Sequence, residues 1–300
     1  MIFAVVAVLI LFLLFPLDIT LCARDTLLMC FTSVIPSLFP FMTLSKMLVS
    51  SGGIKEDNFL FNFIGKFFKI SNTGVWALTL GLVCGYPIGA KIICELLSKN
   101  RISKKEAQRL MLFSNNAGPA FVIATVGGMF FSDVKTGVII YLSHVLSSLI
   151  IAYVLSFFPV IITVNKKQLS TNPSFSKVFI SSVTDGVSSV LNVTGIIVFF
   201  SVLLKVFDII KLTYFMPEGF LGIFKGMFEM TTGIKILAAS NMPYNLKVIF
   251  STFLVSFSGI SVFCQMLSFS DGINIRPCFI AKLFGGILSV IICYLFLISQ

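Results

Sequence analysis

Polar side chains that could bind a solute lie beside glycine and proline inside otherwise apolar segments. In the stretch 81–131, a Gly-Tyr-Pro-x-Gly element precedes a lysine, and an Asn-Asn-x-Gly-Pro element follows a basic loop. Backbone groups freed where a helix is broken cannot face lipid, so broken segments at membrane depth are packed in protein or line a cavity. We therefore predict a ligand site containing Tyr86, Lys91, Asn115, Asn116, Gly118 and Pro119, shaped by Gly85, Pro87 and Gly89.

The second half of the chain repeats this arrangement in weaker form. The tetrapeptide GAKI at 89–92 is matched by GIKI at 233–236, and a cluster of small polar residues follows each. Corresponding glycine-broken segments in two halves point to a transporter site at the repeat interface. Four full spans per half would make the repeats parallel, whereas a re-entrant hairpin at a proline-broken segment would invert one of them. The second half adds Lys235, Ser258 and Gly259 to the predicted substrate-binding residues.

The composition places these segments in a membrane. Hydrophobic residues make up 57% of the 300 and charged residues 11%, against roughly 25% charged residues in a soluble domain. The net charge of +10 comes from short loops between apolar runs, which indicates positive-inside topology rather than binding to nucleic acid. We predict an all-α polytopic membrane protein with about eight to nine transmembrane segments. It should have two related halves and helices broken at glycine or proline.

The order of the apolar runs divides the chain into three regions. Residues 1–26 are predicted as an N-terminal anchor helix, 27–164 as a first membrane repeat and 165–300 as a second membrane repeat. The first run lacks the basic start and the small residue before a cleavage site that a signal peptide would have. It is therefore expected to stay as a membrane anchor.

Two further features of the first half bear on topology. Pro36 and Pro40 predict either a kinked span or a re-entrant hairpin, and 50–73 is expected to be a surface or interfacial connector. The basic loop at 99–109 is expected on the cytoplasmic side. The same side is expected for a second basic loop, which holds Lys166, Lys167 and Lys177.

The sequence offers no catalytic or cofactor-binding constellation. Seven cysteines are scattered without a Cys-x-x-Cys pair, and His144 is the only histidine. This pattern argues against a zinc site, a disulfide framework and an HExxH motif, and we predict neither an enzyme nor a bound cofactor. His144 is expected to pack against a neighbour rather than to relay protons.

The charges in the apolar runs have competing interpretations. Lys91 could bind a ligand, reach the membrane interface or pair with Glu95 one turn away, and Lys235 has similar alternatives. Glu229 lies in the middle of an apolar run and could carry a coupling proton, but Lys225 one turn before it would make a structural pair equally well.

Three other polar features also have more than one interpretation. Asp185 is interpreted as marking a helix start near Lys177. The pair Asn115 and Asn116 could hydrogen-bond between helices, but ligand or gate contact is favoured because the pair immediately precedes a Gly-Pro break. Tyr86 could offer a stacking surface for an aromatic ring or serve the architecture alone.

These motifs resemble the YlbJ family of sporulation integral membrane proteins of endospore-forming bacteria. The resemblance rests on Gly85–Lys91, on the loop 102–107 and on Phe113–Pro119, and it extends over nearly the whole chain. That family carries the nucleoside-recognition or Gate domain, which is related to parts of concentrative nucleoside transporters and of ferrous iron transporters. The second half of this chain is more divergent, and its polar cluster is less diagnostic of the family than the cluster in the first half.

The resemblance implies transport during spore formation. The implied cargo is dipicolinic acid, moved from the mother cell toward the forespore across the outer forespore membrane. Dipicolinate is a flat dianion, so its site should offer cations, amide donors and a helix N-terminus. Lys91, Lys235, Asn115 and Asn116 could supply the first two, and a helix that restarts after Pro119 could supply the third.

A second function class stays open beside the transporter. In this alternative, the chain is a non-transporting integral membrane scaffold needed for assembly of the spore envelope, and its polar clusters serve helix packing. In both cases the lipid bilayer is the surrounding partner, a homo-oligomer is compatible with the sequence, and nucleic acid is not expected.

Overall fold

The computed structural model describes residues 2–51, 59–158, 174–270 and 272–299, and every regular element within these ranges is helical. This arrangement confirms the all-α polytopic class that the composition predicts. Lys166 and Lys167 lie outside the described residues, as does part of the connector predicted at 50–73.

The first half of the chain contains a long helix, a helical hairpin, a broken helix and another long helix. A short helix, Phe59–Phe68, precedes the hairpin and meets its first arm at 91°. The elements that follow Ile2–Leu14 are scaffold helix 1 (Pro16–Ser50), hairpin 1 (Asn72–Cys84 and Ile88–Ser98), broken helix 1 (Lys104–Met111 and Ala120–Phe130) and outer helix 1 (Val134–Ser156).

The second half repeats the same four elements in the same order. They are scaffold helix 2 (Phe175–Ile209), hairpin 2 (Glu218–Phe228 and Met230–Ala239), broken helix 2 (Tyr244–Phe257 and Gly259–Leu267) and outer helix 2 (Arg276–Ile298). The two scaffold helices each have 35 residues and pack against each other. The two outer helices also pack against each other.

Side-chain caps fix where several of these helices begin. Ser71 accepts a hydrogen bond from the Gly74 amide at the start of hairpin 1, and Ser103 accepts one from the Glu106 amide at the start of broken helix 1. Such caps satisfy N–H groups that have no partner in the first turn of a helix. Local sequence therefore determines the element boundaries that position the breaks.

Scaffold helix 1 is not interrupted at its two prolines. The chain continues as one helix through Pro36 and Pro40, with a wide π-helical turn at Cys30–Val34 just before them. A widened turn adjusts the hydrogen bonding around a proline, which lacks an N–H donor and crowds the preceding turn. The segment is a continuous span rather than a re-entrant hairpin, and the predicted boundary after residue 26 falls inside it.

Glycines bring the two arms of each hairpin into backbone contact. A Cβ atom on Gly233 would lie 2.1 Å from the Cα atom of Gly226, and one on Gly81 would lie 3.4 Å from the Cα atom of Gly89. These contacts join one arm to the other across the hairpin tip, so the arms run antiparallel. Each arm has 10 to 13 residues. Such a helix is about 15–20 Å long, which is shorter than the roughly 30 Å hydrocarbon core.

The count of membrane-crossing helices is accordingly lower than the sequence predicts. Within the described residues, five helices are long and apolar enough to cross a membrane, or six if the pair bent by 91° is counted as one span. The prediction of eight or nine segments counted each hairpin as a span, because 22 to 27 consecutive residues of mostly apolar character have the length of one. Contacts between glycines, rather than hydropathy, turn these stretches into hairpins.

The hairpins also bear on the orientation of the two repeats. A hairpin returns to the side from which it started, so it adds no crossing to its half. The scaffold helix and the outer helix of each half, and broken helix 2, are long and apolar enough to cross, whereas broken helix 1 is not. Contacts such as Lys46–Asp185 and Lys205–Asp18 show that the scaffold helices pack antiparallel, as inverted repeats require.

Gly233→Ala is expected to reduce the yield of folded protein strongly, because its new methyl group would lie 2.1 Å from the Gly226 backbone in hairpin 2. Overpacking of this kind costs about 1–3 kcal/mol or more when backbone must move. Gly195→Ala on scaffold helix 2 is the matched control, since nothing lies within 4 Å of its Cβ position. Size-exclusion chromatography in detergent measures both. Equal yields of the two variants would contradict the packing of hairpin 2.

Candidate functional site

Four helix breaks converge at the centre of the molecule. Hairpin 1 turns at Gly85, whose φ of +82° suits glycine, and a Cβ atom there would lie 2.7 Å from the Gly118 nitrogen in broken helix 1. In the second half, a Cβ atom on Gly259 in broken helix 2 would lie 3.0 Å from the Gly226 carbonyl oxygen in hairpin 2. Each hairpin thus packs against the broken helix of its own half.

The two halves meet at the hairpin tips. The Tyr86 hydroxyl of hairpin 1, next to the cis Tyr86–Pro87 peptide bond, donates a hydrogen bond to the Met230 sulfur of hairpin 2 at 2.7 Å. Tyr86 is buried at this interface. Tyr86 and Met230 both line a cavity, so the contact joins the tips at its wall.

This central cavity is small, with a volume of about 30 Å³, and is lined by residues of both halves. Three predicted site residues, Tyr86, Gly118 and Glu229, line it. Its other walls are mostly apolar, with Thr231 and Gln265 as the remaining polar side chains. No lysine or arginine is among the described residues that form its walls.

Glu229 does not form the ion pair with Lys225 that the sequence allows. Its carboxylate accepts hydrogen bonds from the backbone amides of Thr231 at 3.0 Å and Thr232 at 2.6 Å, and so caps the second arm of hairpin 2. Lys225 instead contacts Asp208 of scaffold helix 2 at 2.6 Å. A carboxylate at a helix N-terminus is stabilised by the free N–H groups there. Glu229 is therefore a buried cap with its side chain at the cavity.

The segment 112–118 of broken helix 1 is a turn followed by irregular backbone, and side chains from both outer helices hydrogen-bond to it. Lys282 of outer helix 2 is buried and donates a hydrogen bond to the Asn115 carbonyl oxygen. His144 of outer helix 1 accepts one from the Ala117 amide at 3.0 Å through Nε2. These contacts hold the break in place at a depth where water is not expected to do so.

His144 also connects the two broken helices. Because Nε2 accepts from Ala117, the neutral ring carries its proton on Nδ1, which donates to the Ser256 hydroxyl at 3.0 Å. The sequence predicts only packing for this residue, whereas the structure gives it two hydrogen bonds across the repeat interface.

Asn115 and Asn116 lie behind the central cavity and do not line it. Both are buried, the Asn115 side chain accepts a long hydrogen bond of 3.4 Å from the Ala90 amide, and the Asn116 side chain donates to the Phe113 carbonyl at 2.6 Å. The Asn115 side-chain nitrogen has no hydrogen-bond partner. The pair thus contacts the backbone of the break, and any ligand contact by it remains a prediction.

Lys91 and Lys235 do not come together at one site. The Lys91 ammonium lies 2.7 Å from the Asp185 carboxylate and 2.6 Å from the Ser189 hydroxyl, both on scaffold helix 2. Asp185 therefore lies inside a helix as an ion-pair partner, and its interpretation as a helix start is wrong. The alternative partner, Glu95, pairs with Lys46 and Lys99 instead.

Lys235 lies near the other end of the scaffold helices. It is exposed and lines a separate cavity of about 490 Å³, together with Asp18, Asp25 and Lys205. Of the remaining predicted residues, Ser258 and Gly259 form the left-handed break between the two parts of broken helix 2, with φ values of +80° and +76°.

Helix N-termini surround the central cavity. After the breaks, helices start again at Ile88, Ala120, Met230 and Gly259, and only the start at Met230 has a side-chain cap, which is Glu229. The predicted restart after Pro119 is confirmed. A helix N-terminus carries a partial positive charge and free N–H groups, so these uncapped starts favour an anion nearby.

Lys282 is buried beside the break, but no sequence motif points to it. It lies in a plain apolar run without the glycine-lysine pattern that drew attention to Lys91 and Lys235. The available signal was the charge itself, since an ionisable side chain inside a membrane helix is costly and is usually functional.

This architecture is that of a polytopic integral membrane protein, in which paired hairpins and broken helices enclose a small central cavity. The sequence is 29% identical, over 307 aligned residues, to the sporulation integral membrane protein YlbJ of Bacillus subtilis (strain 168), and the alignment covers 90% of this chain and 75% of that protein. This similarity supports the resemblance to the YlbJ family that the sequence motifs indicate. No protein-family model matches it, and no solved structure matches it.

Proposed function

We propose that the chain is a membrane transporter for a small organic anion, with dipicolinic acid as its cargo, moved from the mother cell toward the forespore across the outer forespore membrane. The name of the Bacillus relative, a sporulation integral membrane protein, supports a membrane role in sporulation. The observation that carries the proposal is the meeting of two hairpin tips, one from each half, at a small cavity of about 30 Å³. Many transporters bind their substrates where two such repeats meet.

Backbone N–H groups, rather than lysines, would hold the anion in this cavity. Phe121 and Val262 line it, and they lie in the first turns of the helices that start at Ala120 and Gly259 without side-chain caps. N–H groups and the helix dipole at such starts bind carboxylates. The ring of Tyr86 in the wall offers a surface against which a planar aromatic acid could stack.

Glu229 would couple anion binding to a proton. A second anion beside its carboxylate is repelled, and this repulsion disappears when Glu229 is protonated. The titratable groups that face it are Tyr86 of hairpin 1 and Cys30 of scaffold helix 1, neither of which is charged in its ordinary form at neutral pH. Cargo and proton would therefore occupy the cavity together.

The test is the dipicolinate content of spores at matched protein levels, with mother-cell synthesis assayed in the same cultures. Deletion of the chain and the cavity-filling variant Ile197→Trp are both expected to lower the content by about tenfold or more, because overpacking removes the space for cargo. Ile197 lines the cavity, whereas Leu191 on the same helix is 55% exposed. Leu191→Trp is therefore the matched control and should keep normal content.

A scaffold for spore-envelope assembly is the second candidate. It is favoured by one observation: His144, Asn116 and Lys282 all form hydrogen bonds within the protein. Loss of dipicolinate in the deletion strain but normal content in folded Ile197→Trp would support the scaffold. Normal content in the deletion strain would remove dipicolinate as the cargo.

A further inference from the structure

The two ends of the scaffold-helix pair carry matching sets of charges. Lys46 and Lys205 each lie 30 residues after the first residue of their helix, Pro16 and Phe175. Asp25 and Asp185 lie 9 and 10 residues after those same starts. This correspondence follows from the repeated architecture and does not depend on the hairpins.

Each end also receives a lysine from the second arm of a hairpin. Lys91 follows Gly89 by two residues in hairpin 1, and Lys235 follows Gly233 by two residues in hairpin 2. Both glycines are tight contact points of their hairpins. A Lys-Asp-Lys set thus occurs twice: Lys46, Asp185 and Lys91 at one end, and Lys205, Asp25 and Lys235 at the other.

The first set is closed. The Asp185 carboxylate lies 2.7 Å from the Lys91 ammonium and 3.8 Å from the Lys46 ammonium, and so it ties hairpin 1 to both scaffold helices. Lys91 also lies over the Phe269 ring, at 5.6 Å from its centroid. The space left between these elements is a cavity of only about 10 Å³.

The second set is open. Lys205 contacts Asp18 at 3.4 Å, and Asp25 contacts its neighbour Arg24 at 2.9 Å. Lys235 is exposed, and no carboxylate of the described residues lies within ion-pair distance of its ammonium. The cavity between hairpin 2 and the scaffold helices measures about 490 Å³ and is lined by Asp25 of scaffold helix 1 and Lys235 of hairpin 2. The equivalent elements are therefore together at one end and apart at the other.

We infer that the cavity of about 490 Å³ is the open entrance of the pathway and that Lys235 closes it by pairing with Asp25, as Lys91 pairs with Asp185 at the closed end. Asp25 is the partner because its position matches Asp185 and because Asp18 already contacts Lys205. The assignment as an entrance rests on the proposed transport function. The exchange of ion pairs follows from the geometry alone.

Partly exposed ion pairs suit such an exchange. The Lys91 and Asp185 side chains are 23% and 33% exposed. A pair of this kind contributes little net stability, because solvent screens it and both side chains lose freedom. Either end can therefore open without unfolding the protein, and the two states can have similar populations.

Native Cys22 reports on the open cavity, since its side chain lines the wall between Asp18 and Asp25. The experiment labels Cys22 with a small aqueous thiol reagent, in detergent, with the other cysteines replaced by serine or alanine. Asp185→Asn weakens the Lys91–Asp185 pair, so it should favour the state in which the Cys22 cavity is closed and should slow Cys22 labelling. Lys235→Gln weakens the inferred Lys235–Asp25 pair, so it should favour the open state and speed the labelling. The rate of Cys22 labelling should change by up to about fivefold, because one partly exposed ion pair can shift the populations of the two states by about that factor. Unchanged labelling in both variants would overturn the inference.

Cross-linking with a bifunctional thiol reagent gives the second measurement, because a direct disulfide is too short to replace the length of a lysine side chain. Lys235→Cys combined with Asp25→Cys should be cross-linked by a reagent about as long as that side chain, as should Lys91→Cys combined with Asp185→Cys, because each pair closes in one state. Lys235→Cys with Leu27→Cys is the control, since Leu27 is exposed on the same helix and does not line the cavity. Cross-linking at the Lys91 pair alone would contradict the exchange. Neither measurement uses cargo, so a failure of dipicolinate transport would be recognised separately.

Discussion

Glu229→Gln is expected to leave the protein folded and to abolish the rise in anion uptake at acidic pH. The amide oxygen of glutamine can still accept from the Thr231 or Thr232 amide, so the cap of hairpin 2 is largely kept. In the wild type, uptake should rise as pH falls, because protonation of Glu229 removes a repulsion of up to about 4 kcal/mol for charges about 4 Å apart in an effective dielectric of 20. The neutral variant should take up anion at neutral pH as fast as the wild type does in acid.

Dipicolinate uptake into proteoliposomes, measured in acidic and in neutral buffer, checks this prediction. Glu218→Gln is the matched control, since Glu218 lies in the same hairpin but is exposed at its start. Glu229→Ala also removes the cap and should lower thermal stability by about 1 kcal/mol. A pH response that survives in Glu229→Gln would assign the coupling proton to another residue.

The sequence identifies the class of protein and the positions of the breaks. Low charge content and long apolar runs exclude a soluble fold, because charged side chains are costly in lipid. Gly85, Pro119 and Gly259 mark three of the four points at which helices stop and restart. These features are local, since a residue without a Cβ atom or without an N–H donor limits the helix at its own position.

The hairpins could not be predicted from the same information. An apolar stretch such as 218–239 has the length of a span, and only contacts such as Gly226 with Gly233 turn it back on itself. Charge partners are likewise tertiary: Lys91 has Glu95 one turn away, but it pairs with Asp185, which lies 94 residues later. The candidate site was therefore predicted in part, with Tyr86, Gly118 and Glu229 at the cavity and both lysines elsewhere.

Lys282 illustrates a buried charge whose role depends wholly on tertiary structure. Its ammonium contacts the Asn115 carbonyl oxygen, which is free only because broken helix 1 is interrupted there. Asn115 and Lys282 are separated by 167 residues, so no local pattern links them. The contact ties the break in the first half to the last helix of the second half.

Lys282→Glu is expected to abolish folding of the protein. The substitution would place a buried carboxylate against the Asn115 carbonyl, where two acceptors face each other and no described cation other than Lys282 contacts that oxygen. An uncompensated charge buried in this way costs several kcal/mol, which is a large share of the roughly 5–15 kcal/mol stability of a typical domain. Lys282→Met should fold, because it has similar length and no charge, but it leaves the carbonyl without its donor at a cost of about 1–3 kcal/mol.

Lys247→Glu is the matched control for this substitution. Lys247 also donates to a backbone carbonyl, that of Ala238 at 3.1 Å, but it is partly exposed to solvent. Its carboxylate replacement can stay hydrated, so folded yield and melting temperature in detergent should remain near those of the wild type. If Lys282→Glu matched Lys247→Glu in both measurements, Lys282 would not be buried against the break in the folded protein. The order expected for melting temperature is Lys247→Glu, then Lys282→Met, with no cooperative transition for Lys282→Glu.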